Sequence, residues 1–164
     1  HSLYRKARED WAIVPFEEMS KQLSLRQDYI IGDFGCGEGL LAEKLQGICT
    51  VHSLDHISSK DFITDCDLAK VPLDDEELDH NFDLLTIDTE GMDIEVVQGL
   101  NLNKYRPQVI LIEIRLFQFA NPFKNEIVSY MYENNYCLIA KTPYDAFFVS
   151  KENNLGWIPS EMLG

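Results

Sequence analysis

Tyr29-Ile30-Ile31-Gly32-Asp33-Phe34-Gly35-Cys36-Gly37-Glu38-Gly39 is an apolar run that turns abruptly into a glycine-rich loop. The run has the length and composition of a strand buried on both faces, and residues 39–46 follow as a helix with Leu40, Leu41 and Leu45 inward. A strand, a sharp glycine turn and a helix form the corner at which open α/β sheets bind ligands. The glycines permit the turn and let a ligand approach the backbone. Dinucleotide sites share such loops, so the glycines alone do not choose the ligand. Asp33 does. A carboxylate here repels a pyrophosphate, whereas S-adenosylmethionine (SAM) brings an ammonium that Asp33 can pair with directly or through water.

Outward from this corner, further short apolar runs predict strands at 50–54, 61–64, 82–87, 108–114, 136–141 and 146–150. Helices are expected at 92–100, with Ile94 and Val97 inward and Gly99 terminating, and at 123–134. Before the corner, Leu3, Ala7 and Trp11 fall at helical spacing, and Pro15 suits the first turn of a second helix buried through Phe16, Met19 and Leu23. Strand–helix alternation closing in a hairpin over 136–150 predicts a Rossmann-like, seven-stranded, mostly parallel α/β sheet with an antiparallel C-terminal edge, a three-layer sandwich. Only five residues separate Asp55 from Asp61, too few for a helical crossover, so a tight irregular link is expected there.

Two more acids stand at predicted strand ends. Asp55, with His56 beside it, lies 22 residues after Asp33, where a carboxylate accepts both ribose hydroxyls. Asp67 follows the third strand and can accept from an adenine amino group while Leu68 packs on the ring, although Asp65 could substitute for it. The cofactor set is therefore Asp33, Phe34, Gly35, Cys36, Gly37, Gly39, Asp55, His56, Asp67 and Leu68, with Cys36 read as small loop filler. At the end of the fourth strand, Asp88 and Glu90 stand two apart and can point the same way, as a general base or as acceptors for a substrate hydroxyl; they can equally cap the next helix. Glu113, at the end of the fifth strand, is a lesser candidate.

The chain has 164 residues, enough for one domain over 1–164 with its own core, and 45% of them are hydrophobic. No apolar run is long enough to span a bilayer, no leader pattern opens the chain, and Cys36, Cys49, Cys66 and Cys137 show no paired spacing, so a cytoplasmic setting is expected. No metal-ligand spacing is present, and the oligomeric state is not legible. Net charge is −14, with an acidic run at Asp74-Asp75-Glu76-Glu77 and only a small basic cluster at Arg5-Lys6-Arg8. Such a balance opposes a polyanion such as a nucleic acid.

Residues 4–79 resemble the ribosomal RNA-processing protein 8-like adenine methyltransferase family, through Trp11, Pro15, Gly32–Glu38, Val51-His52-Ser53-Leu54-Asp55 and Cys66-Asp67-Leu68-Ala69-Lys70-Val71-Pro72-Leu73. The resemblance implies SAM binding by the motif glycines, Asp55 and Asp67, and a short link after the second strand. Residues 80–150 resemble instead the FkbM family of methyltransferases, mostly O-methylating, through Ile87-Asp88-Thr89-Glu90-Gly91, Glu95-Val96-Val97-Gln98-Gly99 and Tyr105–Glu113. Together they imply a mosaic whose expected activity is O-methyl transfer from SAM to a small or carbohydrate-like acceptor. The alternatives are N-methylation of an RNA adenine, from the front-half resemblance, and a SAM-binding module without catalysis.

Overall fold

The computed structural model describes residues 27–56, 60–68 and 81–152; the predicted N-terminal helices and the acidic run lie outside them. Seven strands form one sheet: β1 Ile30–Phe34, β2 Thr50–Asp55, β3 Ile63–Asp65, β4 Leu84–Ile87, β5 Val109–Glu113, β6 Tyr136–Lys141 and β7 Asp145–Ser150, in the order β3-β2-β1-β4-β5-β7-β6. The first five are parallel, and β7 runs antiparallel to both β5 and β6, the predicted edge hairpin. Strand order reverses between β1 and β4, which places the glycine corner at the switch point.

Helices cover both faces. Against one face packs α1, Leu40–Leu45, with Leu45 buried beside Ile31, Leu84, Val109 and Val149. Against the other lie α2, Asp93–Gly99, and α3, Glu126–Glu133, over a larger cluster that includes Phe34, Leu85, Ile110, Ile112 and Phe148. Alternate residues of β4 and β5 serve opposite faces, Leu84 and Val109 one and Leu85 and Ile110 the other, so these strands read as unbroken apolar runs. Asn125 starts α3 because its Oδ1 accepts from the amides of Ile127 and Val128, two donors the helix cannot satisfy itself. Between the parallel neighbours β2 and β3 run residues 56–62; the described ones are bend and turn.

At the opposite edge of the sheet, the Arg106 guanidinium donates through one nitrogen to the carbonyls of Leu102 and Asn134, 3.0 Å each. Its other terminal nitrogen reaches Ser150 Oγ, and the group stacks 4.7 Å from the Tyr136 ring centre. One side chain thus ties the end of α3, the hairpin and the turn before β5. Arg106→Ala is expected to destabilise the fold by roughly 2–4 kcal/mol, because two carbonyls lose a charged donor. Arg106→Lys should recover little of this, since an ammonium lacks the planar fork. Urea unfolding measures it, and a loss under about 0.5 kcal/mol for the Ala variant, within the range of ordinary surface changes, would refute the clamp.

Candidate active site

The carboxyl ends of β1, β2 and β4 meet around the glycine loop. Gly35, Gly37 and Gly39 adopt φ of +78°, +56° and +67°, left-handed values that disfavour any side chain. At Gly35 the need is also steric: a Cβ there would stand 2.1 Å from the Asp88 carbonyl oxygen. The amide of Asp88 donates to the Phe34 carbonyl at 3.0 Å, so the end of β4 is fastened directly against the loop.

Asp33 and Asp55 are both nearly buried, at 9% and 8% exposure. Asp33 Oδ1 accepts from Thr86 Oγ1 at 2.7 Å, its register partner on β4. Asp55 Oδ2 accepts from the amide of Gly37 at 2.7 Å, and its Oδ1 lies 3.0 Å from His56 Nδ1. One carboxylate therefore shapes the loop from the neighbouring strand. His56 itself is largely in solvent. Cys36, between the two acids, has its thiol pushed up to about 12, first by burial and then by the charges of Asp33 and Asp55. It stays protonated at neutral pH, which fits a filler and not a nucleophile. A loop whose negative field suppresses a thiolate also favours a cationic ligand over a pyrophosphate.

Asp67 is exposed just beyond β3, and Leu68 beside it is buried within the larger core cluster. Leu68 thus packs on the protein's own apolar residues.

Asp88 and Glu90 have different surroundings. Asp88 Oδ1 is fully shielded from solvent close to the loop. Glu90, at φ +54°, directs its carboxylate to Arg115 at 2.6 Å, and Arg115 also donates to Glu113 at 2.8 Å. The turn before α2 is bound instead by Asp93, whose buried carboxylate accepts from Thr89 N and Oγ1. Thr86, Asp93 and Arg115, which bind Asp33, the turn before α2 and Glu90, carry little signal in the sequence beyond a lone Thr in the apolar run of β4. Among the described residues no cluster of three or more His, Cys, Asp or Glu could hold a metal ion, and no helix is long and apolar enough to cross a membrane.

A family model described as "Hypothetical methyltransferase" matches residues 1–101, which includes the whole glycine corner, Asp55, Asp67 and Asp88. The chain belongs to this methyltransferase family. SAM is its cofactor. Ribosomal RNA-processing protein 8 of Dictyostelium discoideum is 30% identical over 151 residues, 90% of this chain and 37% of that protein. A fission yeast (Schizosaccharomyces pombe) protein named 25S rRNA (adenine(645)-N(1))-methyltransferase is 29% identical over 90 residues, covering 48% of this chain and 28% of its own length. The chain thus spans well under half of these relatives.

Two solved structures share the fold. A putative ribosomal RNA methyltransferase of Plasmodium falciparum has TM-score 0.53 at 12% identity, covering 85% of this chain and 95% of its own. Magnesium protoporphyrin IX methyltransferase of Synechocystis PCC 6803, solved with bound SAM, has TM-score 0.50 at 14% identity, covering 85% and 76%. The expected change to an FkbM-like family near residue 80 finds no support in these likenesses, and the Dictyostelium one, at 90% coverage, runs far into the second half.

The residues in hand suit this family's cofactor. Three left-handed glycines leave alternate loop positions without a side chain, and two nearly buried carboxylates offer acceptors at adjacent strand ends. Such a set complements an ammonium and vicinal hydroxyls.

Proposed function

We propose that this chain methylates an adenine base of ribosomal RNA. The likeness to ribosomal RNA-processing protein 8 across 90% of the chain carries this reading, since it takes in the acceptor side as well as the cofactor side. The yeast relative's name adds the base and atom, adenine N1. The net charge of −14, which opposes a polyanion, is a weaker guide because it averages over the surface and does not describe the reacting edge.

In this reading the loop residues Asp33, Phe34, Gly35, Cys36, Gly37 and Gly39 hold the amino-acid end of SAM, Asp55 with His56 the ribose, and Asp67 the adenine amino group. Leu68 supports this wall from the core. Bound SAM supplies an electrophilic methyl. Adenine N1 attacks with its own lone pair, so the N–C bond forms, the S–C bond breaks, and the positive charge passes from sulfur to the base. No proton needs removing. A general base is then unnecessary, and a carboxylate at this edge serves by stabilising the developing positive charge. Asp88, shielded and fastened beside the loop, suits that role better than Glu90, which Arg115 holds.

The expected result is transfer of labelled methyl from SAM to an adenine in a ribosomal RNA fragment, with the position read by mass spectrometry. Asp88→Ala should lower turnover by roughly 100-fold, the scale of losing one preorganised electrostatic group, with SAM affinity within about threefold. Transfer to a small hydroxyl acceptor and none to RNA would overturn the proposal in favour of O-methylation.

A further inference from the structure

We infer that Thr86 is a positioning residue for the cofactor's ammonium: its hydroxyl fixes the carboxylate of Asp33, and Asp33 in turn holds the amino-acid end of SAM. Thr86 is the one polar side chain in Leu84-Leu85-Thr86-Ile87, a strand otherwise buried as an apolar run. Val would fill the same volume there, so what Thr adds is a single strong donor. A half-buried hydroxyl in such a strand costs stability unless it is bonded. This one donates to Asp33 Oδ1 at 2.7 Å, the length of a hydroxyl bound to an ionised carboxylate. The bond spans 53 residues of sequence and exists because Thr86 and Asp33 are register partners on β4 and β1.

Asp33 is 9% exposed near the end of β1, where the glycine loop begins. Its charge is felt inside that loop: burial first, then Asp33 and then Asp55, push up the Cys36 thiol. An ionised carboxylate accepts about four hydrogen bonds, so the one that Thr86 donates leaves capacity for an ammonium. What the bond removes is rotation. A carboxylate already set in its binding rotamer spares an ordering cost that would otherwise be subtracted from affinity. The same row of the sheet holds a natural comparison. Ser53, the register partner of Asp33 on β2, is 1% exposed, yet among the described residues its Oγ makes no bond to that acid. A place beside Asp33 is therefore not what distinguishes Thr86; the bond is.

The inference rests on the reading of Asp33 as the partner of the amino-acid end, and the test separates the two. The full chain is titrated by calorimetry with S-adenosylhomocysteine, which carries the ammonium, and with methylthioadenosine, which keeps the adenosine and lacks the amino-acid end. Thr86→Val is expected to weaken S-adenosylhomocysteine about 3- to 10-fold, the scale of one net hydrogen bond, and to leave methylthioadenosine within about twofold. Thr86→Ser, which keeps the hydroxyl, should bind both ligands like the parent, as should Ser53→Ala. Asp33→Asn should weaken S-adenosylhomocysteine roughly 10- to 100-fold. Thr86→Val added to Asp33→Asn should cost less than about twofold more, because no charge remains to be placed. Equal weakening of both ligands by Thr86→Val, or the same loss in Thr86→Ser or Ser53→Ala, would mark the row as structural and overturn the inference. A loss in Asp33→Asn with none in Thr86→Val would overturn Thr86 alone and spare Asp33. Unchanged S-adenosylhomocysteine affinity in Asp33→Asn would remove both.

Discussion

Gly35→Ala is expected to lose SAM binding and about 2–5 kcal/mol of stability. Two costs add. The left-handed φ of +78° costs an L-residue about 1–2 kcal/mol, and the new Cβ would meet the Asp88 carbonyl oxygen at 2.1 Å, a backbone atom that moves only if the end of β4 moves. Displacing packed structure in this way costs about 1–3 kcal/mol. The chain supplies its own control: Gly47 has φ +79° with nothing within 4 Å of where its Cβ would lie. Gly47→Ala should therefore show the backbone cost alone. Denaturant unfolding of the two variants isolates the collision, and equal losses would show that the contact between loop and β4 is not there.

Asp55→Ala should weaken SAM binding by roughly 10- to 150-fold, because the cofactor loses a charged acceptor worth about 1.5–3 kcal/mol. The same change should cost stability. Asp55 Oδ2 accepts from the Gly37 amide at 2.7 Å, so its removal strands a donor inside the loop at about 1–3 kcal/mol. Asp55→Asn keeps an acceptor for that amide and separates the effects: stability largely returns while SAM affinity stays reduced. Calorimetry and thermal unfolding read them independently. Undiminished SAM affinity in both variants would remove Asp55 from the cofactor site.

Glu90 shows where sequence spacing misleads. Side chains two apart share a face only while the backbone stays extended, and β4 ends at Ile87. By Glu90 the chain has turned to φ +54°, and the carboxylate swings to Arg115, 25 residues away. Arg115 carried no signal, because it lies past the end of β5 in a segment with no periodicity. Leu68 raises a related question. An apolar residue after a strand can face a ligand or the core, and only packing decides; here it lies with the core.

The sequence by itself determined the strand–glycine–helix corner, the seven-strand alternation and the two acids at strand ends. These follow from local sterics and apolar periodicity, which act over a few residues and survive without knowledge of the partner. Tertiary structure alone decided which groups those acids meet. Thr86 lies across from Asp33 because β4 inserts beside β1, and the Gly37 amide reaches Asp55 because β2 flanks the loop. Both contacts join residues distant along the chain, where the strand order β3-β2-β1-β4-β5-β7-β6 and not the local pattern sets the neighbours.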